Sequence, residues 1–257
     1  MAYNTILITD AGAIRTIALH RSERRNAMTP EMQNELISAL EDTAASRCRV
    51  LVLTGSGGAF CSGLDLAALR EARGAGEYRA DAERTARLFL ALRDLPVPTI
   101  AAVRGPAIAG GTGLAMLCDF TLAAPDARFG FTEVRIGFIP ALVSIFLALQ
   151  IGDKRSRDLL LTGRIFGADE ALRLGLVNEI VSAEEMEKRI EELAGILIAN
   201  SPRALSATKQ LMGAGCRAWL DAAIAHAIEA SVQARNTSDF REGIAAFLEK
   251  RPPAWTK

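Results

Sequence analysis

Short aliphatic runs alternate with helical spacings through the first half of the chain. Arg15–His20 (RTIALH), Val50–Thr54 (VLVLT), Thr99–Val103 (TIAAV) and Phe120–Ala123 (FTLA) read as mostly buried strands bounded by turn residues. Between the first two, Thr29 stands as a helix N-cap with Pro30 at the first helical position. Met32, Leu36, Ala39 and Leu40 then fall on one face of that helix. This alternation predicts an α/β layered core. From about Pro140 the pattern turns helical. Ser182-Ala-Glu-Glu185 reads as a capping box opening a helix through Ile198, and Ser201-Pro202 opens another. A third runs from about Ser238 to Lys250, where Pro252-Pro253 forbids continuation. Gly74–Gly76, set among charged residues, predicts a mobile loop.

Composition narrows the function classes. Half of the 257 residues are hydrophobic, enough for one large core. The 30 basic and 30 acidic residues balance, which leaves no electrostatic footprint for nucleic acid or an anionic membrane. The opening MAYNTILITDAG does not read as a signal peptide, and no apolar run approaches the ~20 residues that span a bilayer. Cys48, Cys61, Cys118 and Cys216 stand far apart without metal-ligand spacing, as buried free thiols of a reducing, cytoplasmic compartment would. His20 and His226 accompany no nucleophile elbow, so a triad is not expected. The chemistry is expected to rest on carboxylates and backbone dipoles.

Three segments could carry it: Gly55–Asp65 (GSGGAFCSGLD), Gly105–Gly113 (GPAIAGGTG) and Phe129–Gly137 (FGFTEVRIG). Each glycine-rich loop follows a strand, and each by itself is as well explained by tight-turn geometry as by ligand binding. Neither carries the Lys-Ser/Thr of a P-loop nor a clean GxGxxG, and His20–Thr29 contains no glycine, which sets a dinucleotide fold aside. Taken together, two such loops can aim two backbone N–H groups at one point, an oxyanion hole. The second opens a helix whose N-terminal dipole favours negative charge. Glu133 follows as a lone carboxylate.

In order along the chain, Arg24-Arg25-Asn26-Ala27-Met28, AFCSGLDL (Ala59–Leu66), AIAGGTGLAMLCDF (Ala107–Phe120), ARFGFTEVRIGFIP (Ala127–Pro140), LTGRIFGADEALRLGLVNEIV (Leu161–Val181) and EGIAAFLEKRPPAW (Glu242–Trp255) resemble the crotonase (enoyl-CoA hydratase/isomerase) family nearly end to end. The resemblance implies an α/β spiral of ββα units capped by a C-terminal helical trimerisation region. It implies a core at 1–200 that binds acyl-CoA and catalyses, and a region at 201–257 for oligomerisation and part of the CoA site. The expected partners are an acyl-CoA substrate and identical subunits in a trimer or dimer of trimers. No cofactor is expected beyond the coenzyme A of the substrate. By position, Leu64 and Gly110 match the oxyanion-hole donors, Glu133 the catalytic carboxylate and Asp65 a structural aspartate. Arg24, Ala27, Ser62, Leu66 and Gly111 fall where the family holds the CoA arm, and Lys250 where a neighbouring subunit reaches its phosphates.

Two departures matter. The family's first catalytic glutamate is replaced by Gly113, and its I-P-G-x-G-G stretch becomes Ile139-Pro-Ala-Leu-Val-Ser144. With one carboxylate, Glu133 could shift a double bond by itself. Alternatively, a water, an anion or another acid such as Asp119 or Asp126 could fill the Gly113 gap and hydration survive. A non-catalytic acyl-CoA-binding or assembly protein is the reading from another class. The loop around Glu71–Arg87, with Phe131, Phe138, Ala141, Leu142 and Ile145, is expected to shape a pocket for a short or branched acyl chain; an Arg or Lys clamp for a second substrate carboxylate is not evident, though Arg135 could serve.

Overall fold

A computed structural model describes residues 3–71 and 74–255. Residues 72 and 73, within the expected pocket segment, lie outside the described residues.

Among the described residues the strands are β1 (Ile6–Ala11), β2 (Ile14–Leu19), β3 (Val50–Gly55), β4 (Thr99–Val103), β5 (Pro106–Ile108), β6 (Phe120–Ala123), β7 (Arg128–Gly130), β8 (Ile165–Gly167) and β9 (Glu179–Ile180). Six form one sheet in the order β1-β2-β3-β4-β6-β9, antiparallel at β1/β2 and parallel elsewhere. The other three form a small sheet, β5-β7-β8. The four expected strands are present within a residue or so. The inner strands are apolar on both faces because both faces are covered. Leu51 and Leu53 of β3 turn into the main core with Phe60 and Met32, while Val50 and Val52 pack with Ile100, Leu122 and the helix Met186–Ala199 on the reverse side.

The N-cap expectation holds: the Thr29 hydroxyl accepts from the Met32 N–H (3.2 Å), and Pro30–Ala45 buries Met32, Leu36, Ala39 and Leu40. Ser201 likewise caps Pro202–Ala214. Ser182 and Glu185 do bond to one another, but they form a turn and the helix begins only at Met186. Gly74–Gly76 is not a loop; it opens a helix, Gly74–Arg93, whose buried face (Ala82, Thr85, Ala86, Phe89) repeats at helical spacing and overrides the local glycines.

Two helices of the 201–257 region pack on the rest of the chain. The helix Arg217–Arg235 packs on Gly74–Arg93 and on Ala141–Ile151. The helix Ser238–Leu248 lies directly on the turn that carries Glu133: a Cβ on Gly137 would collide with the Asp239 carbonyl, and one on Gly243 with the Ile136 carbonyl. No helix among the described residues is long and apolar enough to cross a membrane.

Candidate active site

The two glycine-rich loops meet at the end of the small sheet. Asn26, fully buried, is the anchor. Its amide donates to the carbonyls of Ser56, Ala59 and Phe60 and so folds the first loop around one side chain. The loop then joins the small sheet through a parallel Cys61–Ala107 bridge, with the Ile108 N–H on the Cys61 carbonyl (2.8 Å). Gly63, at φ +90, comes so near Ala109 that an added Cβ would stand 3.0 Å from the alanine Cβ.

This geometry leaves two amides free. Met28 pairs with the residues flanking Leu64, donating to the Gly63 carbonyl (2.8 Å) and accepting from the Asp65 N–H (3.0 Å). The Leu64 N–H therefore points away from Met28. Gly110 is the first residue of the helix Gly110–Leu117, where N–H groups have no intrahelical partner. Among the described residues, neither amide donates to a backbone carbonyl. Ala109, just before the helix, holds a strained φ of +53 that turns the chain into this position, and its own N–H is fixed on the Gly130 carbonyl (2.7 Å).

Because Ile108 is paired with Gly130 at the end of β7, the chain after β7 emerges beside Gly110. Three residues on, Glu133 opens a 3-10 turn, 9% exposed. Its Oε2 is buried and has no hydrogen-bond partner among the described residues. Burial, the dominant cause, pushes its carboxyl up to about 7, against a small lowering from its own backbone N–H.

A cavity of about 460 Å³ joins these groups. Of the expected site residues, Ser62, Leu64, Leu66, Gly110 and Glu133 line it; Arg24, Ala27, Gly111 and Lys250 do not. Arg24 and Ala27 act through the backbone: the Arg24 carbonyl accepts from the Ser62 hydroxyl, and the Ala27 carbonyl from Arg21. Gly111 faces the loop, where a Cβ would strike the Cys61 carbonyl, so it permits close packing. Lys250 is exposed, and its neighbour Arg251 reaches the cavity, as does Arg25 beside Arg24. Asp65 caps the helix Leu66–Glu71 through the N–H groups of Ala67 (3.0 Å) and Ala68 (3.3 Å) and pairs with Arg21 (3.1 Å).

Gly113 is not a gap. A Cβ there would stand 2.8 Å from Val143 Cγ1 and 2.9 Å from Phe89 Cζ, both side chains of the cavity wall. Asp119 is engaged with Thr99 and Lys209, and neither it nor Asp126 lines the cavity. Of the expected pocket residues, Phe138, Ala141 and Leu142 line the cavity, while Phe131 and Ile145 do not. Arg135 lines it from an exposed position. Burial pushes the Cys61 and Cys118 thiols up to about 12, far from nucleophilic.

Two free amides and one buried carboxylate on an apolar cavity define a site that can hold an oxyanion and exchange a proton beside it. Residues 9–257 match the family Enoyl-CoA hydratase/isomerase, and the chain belongs to that family. It is 43% identical over 247 residues to a Thermus thermophilus protein named "Putative enoyl-CoA hydratase", covering 95% of this chain and 98% of that one. It is 33% identical to a crotonyl-CoA hydratase of Syntrophomonas wolfei, over 98% of this chain and 97% of the relative. Among solved structures, an enoyl-CoA hydratase/isomerase from Xanthobacter autotrophicus Py2 superposes with a TM-score of 0.89 at 29% identity, over 97% of this chain and 98% of that one.

Proposed function

We propose that the chain adds water across the double bond of a 2-enoyl-CoA thioester, with Glu133 as its single proton-transfer group. The observation that carries this is the buried Glu133 carboxyl, whose Oε2 has no partner among the described residues, poised near neutral pH on the same cavity as the Leu64 and Gly110 amides. The ionised carboxylate takes a proton from water as its oxygen bonds to the β-carbon. The π electrons move toward the thioester, and the enolate oxygen accepts from the two N–H groups. Glu133 then returns the proton to the α-carbon, so atoms and charge balance with one carboxylate. The relatives named for hydration support this direction. Arg25, Ser62 and Arg251 are proposed to hold the CoA arm at the rim.

A second reading rests on Gly113. With Phe89 and Val143 against that position, no second carboxylate lines the cavity among the described residues, which favours a shift of a 3-ene to a 2-ene by Glu133 acting alone. Crotonyl-CoA and 3-hexenoyl-CoA decide between them. Hydration of the first, lowered about 10²–10⁴-fold in Glu133→Gln, is the expected result. Isomerisation without hydration would establish the second reading, and inertness toward both would remove the proposed reaction.

The same proposal includes identical subunits in a trimer or dimer of trimers. The helix Pro202–Ala214 supports this, since it buries no residue in the monomer and exposes Leu211 and Met212. It also includes a cytoplasmic setting, with which four free thiols agree, and no cofactor beyond the substrate's coenzyme A.

A further inference from the structure

The inner end of the cavity holds a charge that hydration of a plain enoyl chain does not use. Among the described residues, four arginines line the cavity; Arg25, Arg135 and Arg251 are exposed, where CoA phosphates would find them, but Arg235 is 2% exposed. It shares the cavity wall with the buried Ala82, Thr85, Phe138 and Ser231, whereas Phe247 on the same wall is exposed. Its guanidinium carbon lies 5.5 Å from the ring centroids of both Tyr78 and Phe138, which orient the planar group. One terminal nitrogen donates to Asp81 (3.1 Å), but Asp81 also pairs with Arg84, so two cations share one carboxylate. The Nε is buried without a partner among the described residues. Ser231, one turn earlier on the same helix, is also buried and lines the cavity. A buried guanidinium with unused donors and excess positive charge is costly unless an anion completes it, and its fork matches a carboxylate.

We propose that Arg235, assisted by Ser231, receives a carboxylate at the far end of the acyl chain, so that the substrate class is the CoA thioester of an unsaturated dicarboxylic acid. The chain would enter with its thioester at Leu64 and Gly110 and its second carboxylate at the Arg217–Arg235 helix. This rests on the acyl-CoA reading of the cavity. It replaces Arg135 as the clamp and the wholly apolar acyl pocket as the environment.

Calorimetric titration of the full protein with glutaryl-CoA and pentanoyl-CoA, which differ only in a terminal carboxylate against a methyl, tests it without any reaction. Glutaryl-CoA is expected to bind about 10–100-fold more tightly, and Arg235→Gln to abolish that preference while changing pentanoyl-CoA binding less than about threefold. If Arg235→Gln does not fold, Ser231→Ala is expected to reduce the preference severalfold, and the wild-type ratio stands without either variant. Equal or weaker binding of glutaryl-CoA, or an equal loss of both ligands in the variants, overturns the inference. Crotonyl-CoA turnover with no such preference would sink this inference alone, whereas binding of neither thioester would sink the acyl-CoA reading beneath it.

Discussion

The cavity has two walls of different construction. One is made of loops: Gly55–Asp65, Gly105–Gly113 and the turn at Glu133. Its business end is backbone, held by the Asn26 amide, by short bridges between loops and by the strained Ala109. The other is made of helices, Gly74–Arg93, Ala141–Ile151, Arg217–Arg235 and Ser238–Leu248, and presents side chains: Phe89, Val143, Ser231, Arg235 and Phe247. A backbone donor keeps its place under most substitutions, while a side-chain wall changes with each one. The loop wall is thus suited to conserve a reaction and the helical wall to choose a substrate. They touch at Gly113, where Phe89 and Val143 occupy the space that a second catalytic side chain would need.

Gly113→Glu is the sharpest way to break this contrast. The new carboxylate would overpack a buried apolar corner and bring an unpaired charge with it, costing about 3–5 kcal/mol. The expected outcome in thermal and urea unfolding is a large loss of stability with no gain in crotonyl-CoA hydration. A well-folded Gly113→Glu protein that hydrates faster would show that the helical wall yields readily, and that the two walls are not independent.

The next effect concerns Glu133. Its carboxyl titrates near 7 in the folded protein but near the ordinary 4.5 when unfolded. Between those values the folded state binds more protons, so stability falls as pH rises through the interval and stays lower above it. At about 1.4 kcal/mol per unit, the loss approaches about 3 kcal/mol. Glu133→Gln removes the titration. Its stability relative to wild type should therefore climb by about that amount from pH 4 to pH 8, read by urea unfolding at each pH. Over the same interval wild-type kcat/KM should rise toward a plateau above pH 7, as the base ionises. A flat stability difference would mean that the carboxyl is not held protonated by burial.

The contrast also explains what the sequence made legible. Asn26, the two glycine loops and Glu133 lie in contiguous motifs because backbone geometry is dictated locally, and the four inner strands announced themselves by apolar runs. Arg235 was invisible because its meaning depends on Asp81 and Tyr78, more than 150 residues earlier, and on Phe138. In sequence it is simply an arginine in the last turn of a helix, where a cation is favoured anyway. The helix at Gly74 escaped for a similar reason: its glycines read as a loop, and only tertiary packing of Phe89 and its neighbours stabilises the element. Gly111 and Lys250 were placed near the ligand by motif position; in the fold Gly111 packs against the Cys61 carbonyl and Lys250 follows the Ser238–Leu248 helix on an exposed turn.

The smallest effect is expected at the cavity rim, where the tail closes the helical wall. Glu242 pairs with Arg251 (2.5 Å) and accepts from the Ala254 N–H (2.7 Å), curling residues 251–254 back so that Arg251 and Pro253 edge the opening. The Arg251 guanidinium, first, and the Ala254 N–H hold the Glu242 carboxyl down at about 2, so this clasp stays charged throughout the range in which Glu133 titrates. It is exposed, and salt screens it. Glu242→Gln should raise KM for crotonyl-CoA about two- to fivefold, leave kcat unchanged, and lose most of that difference in about 0.5 M salt. A fall in kcat at constant KM would be the contrary result. It would mean that the tail, through the Ser238–Leu248 helix packed on the Glu133 turn, sets the loop wall itself, and the division between reaction and selection would fail at the residue proposed to carry the chemistry.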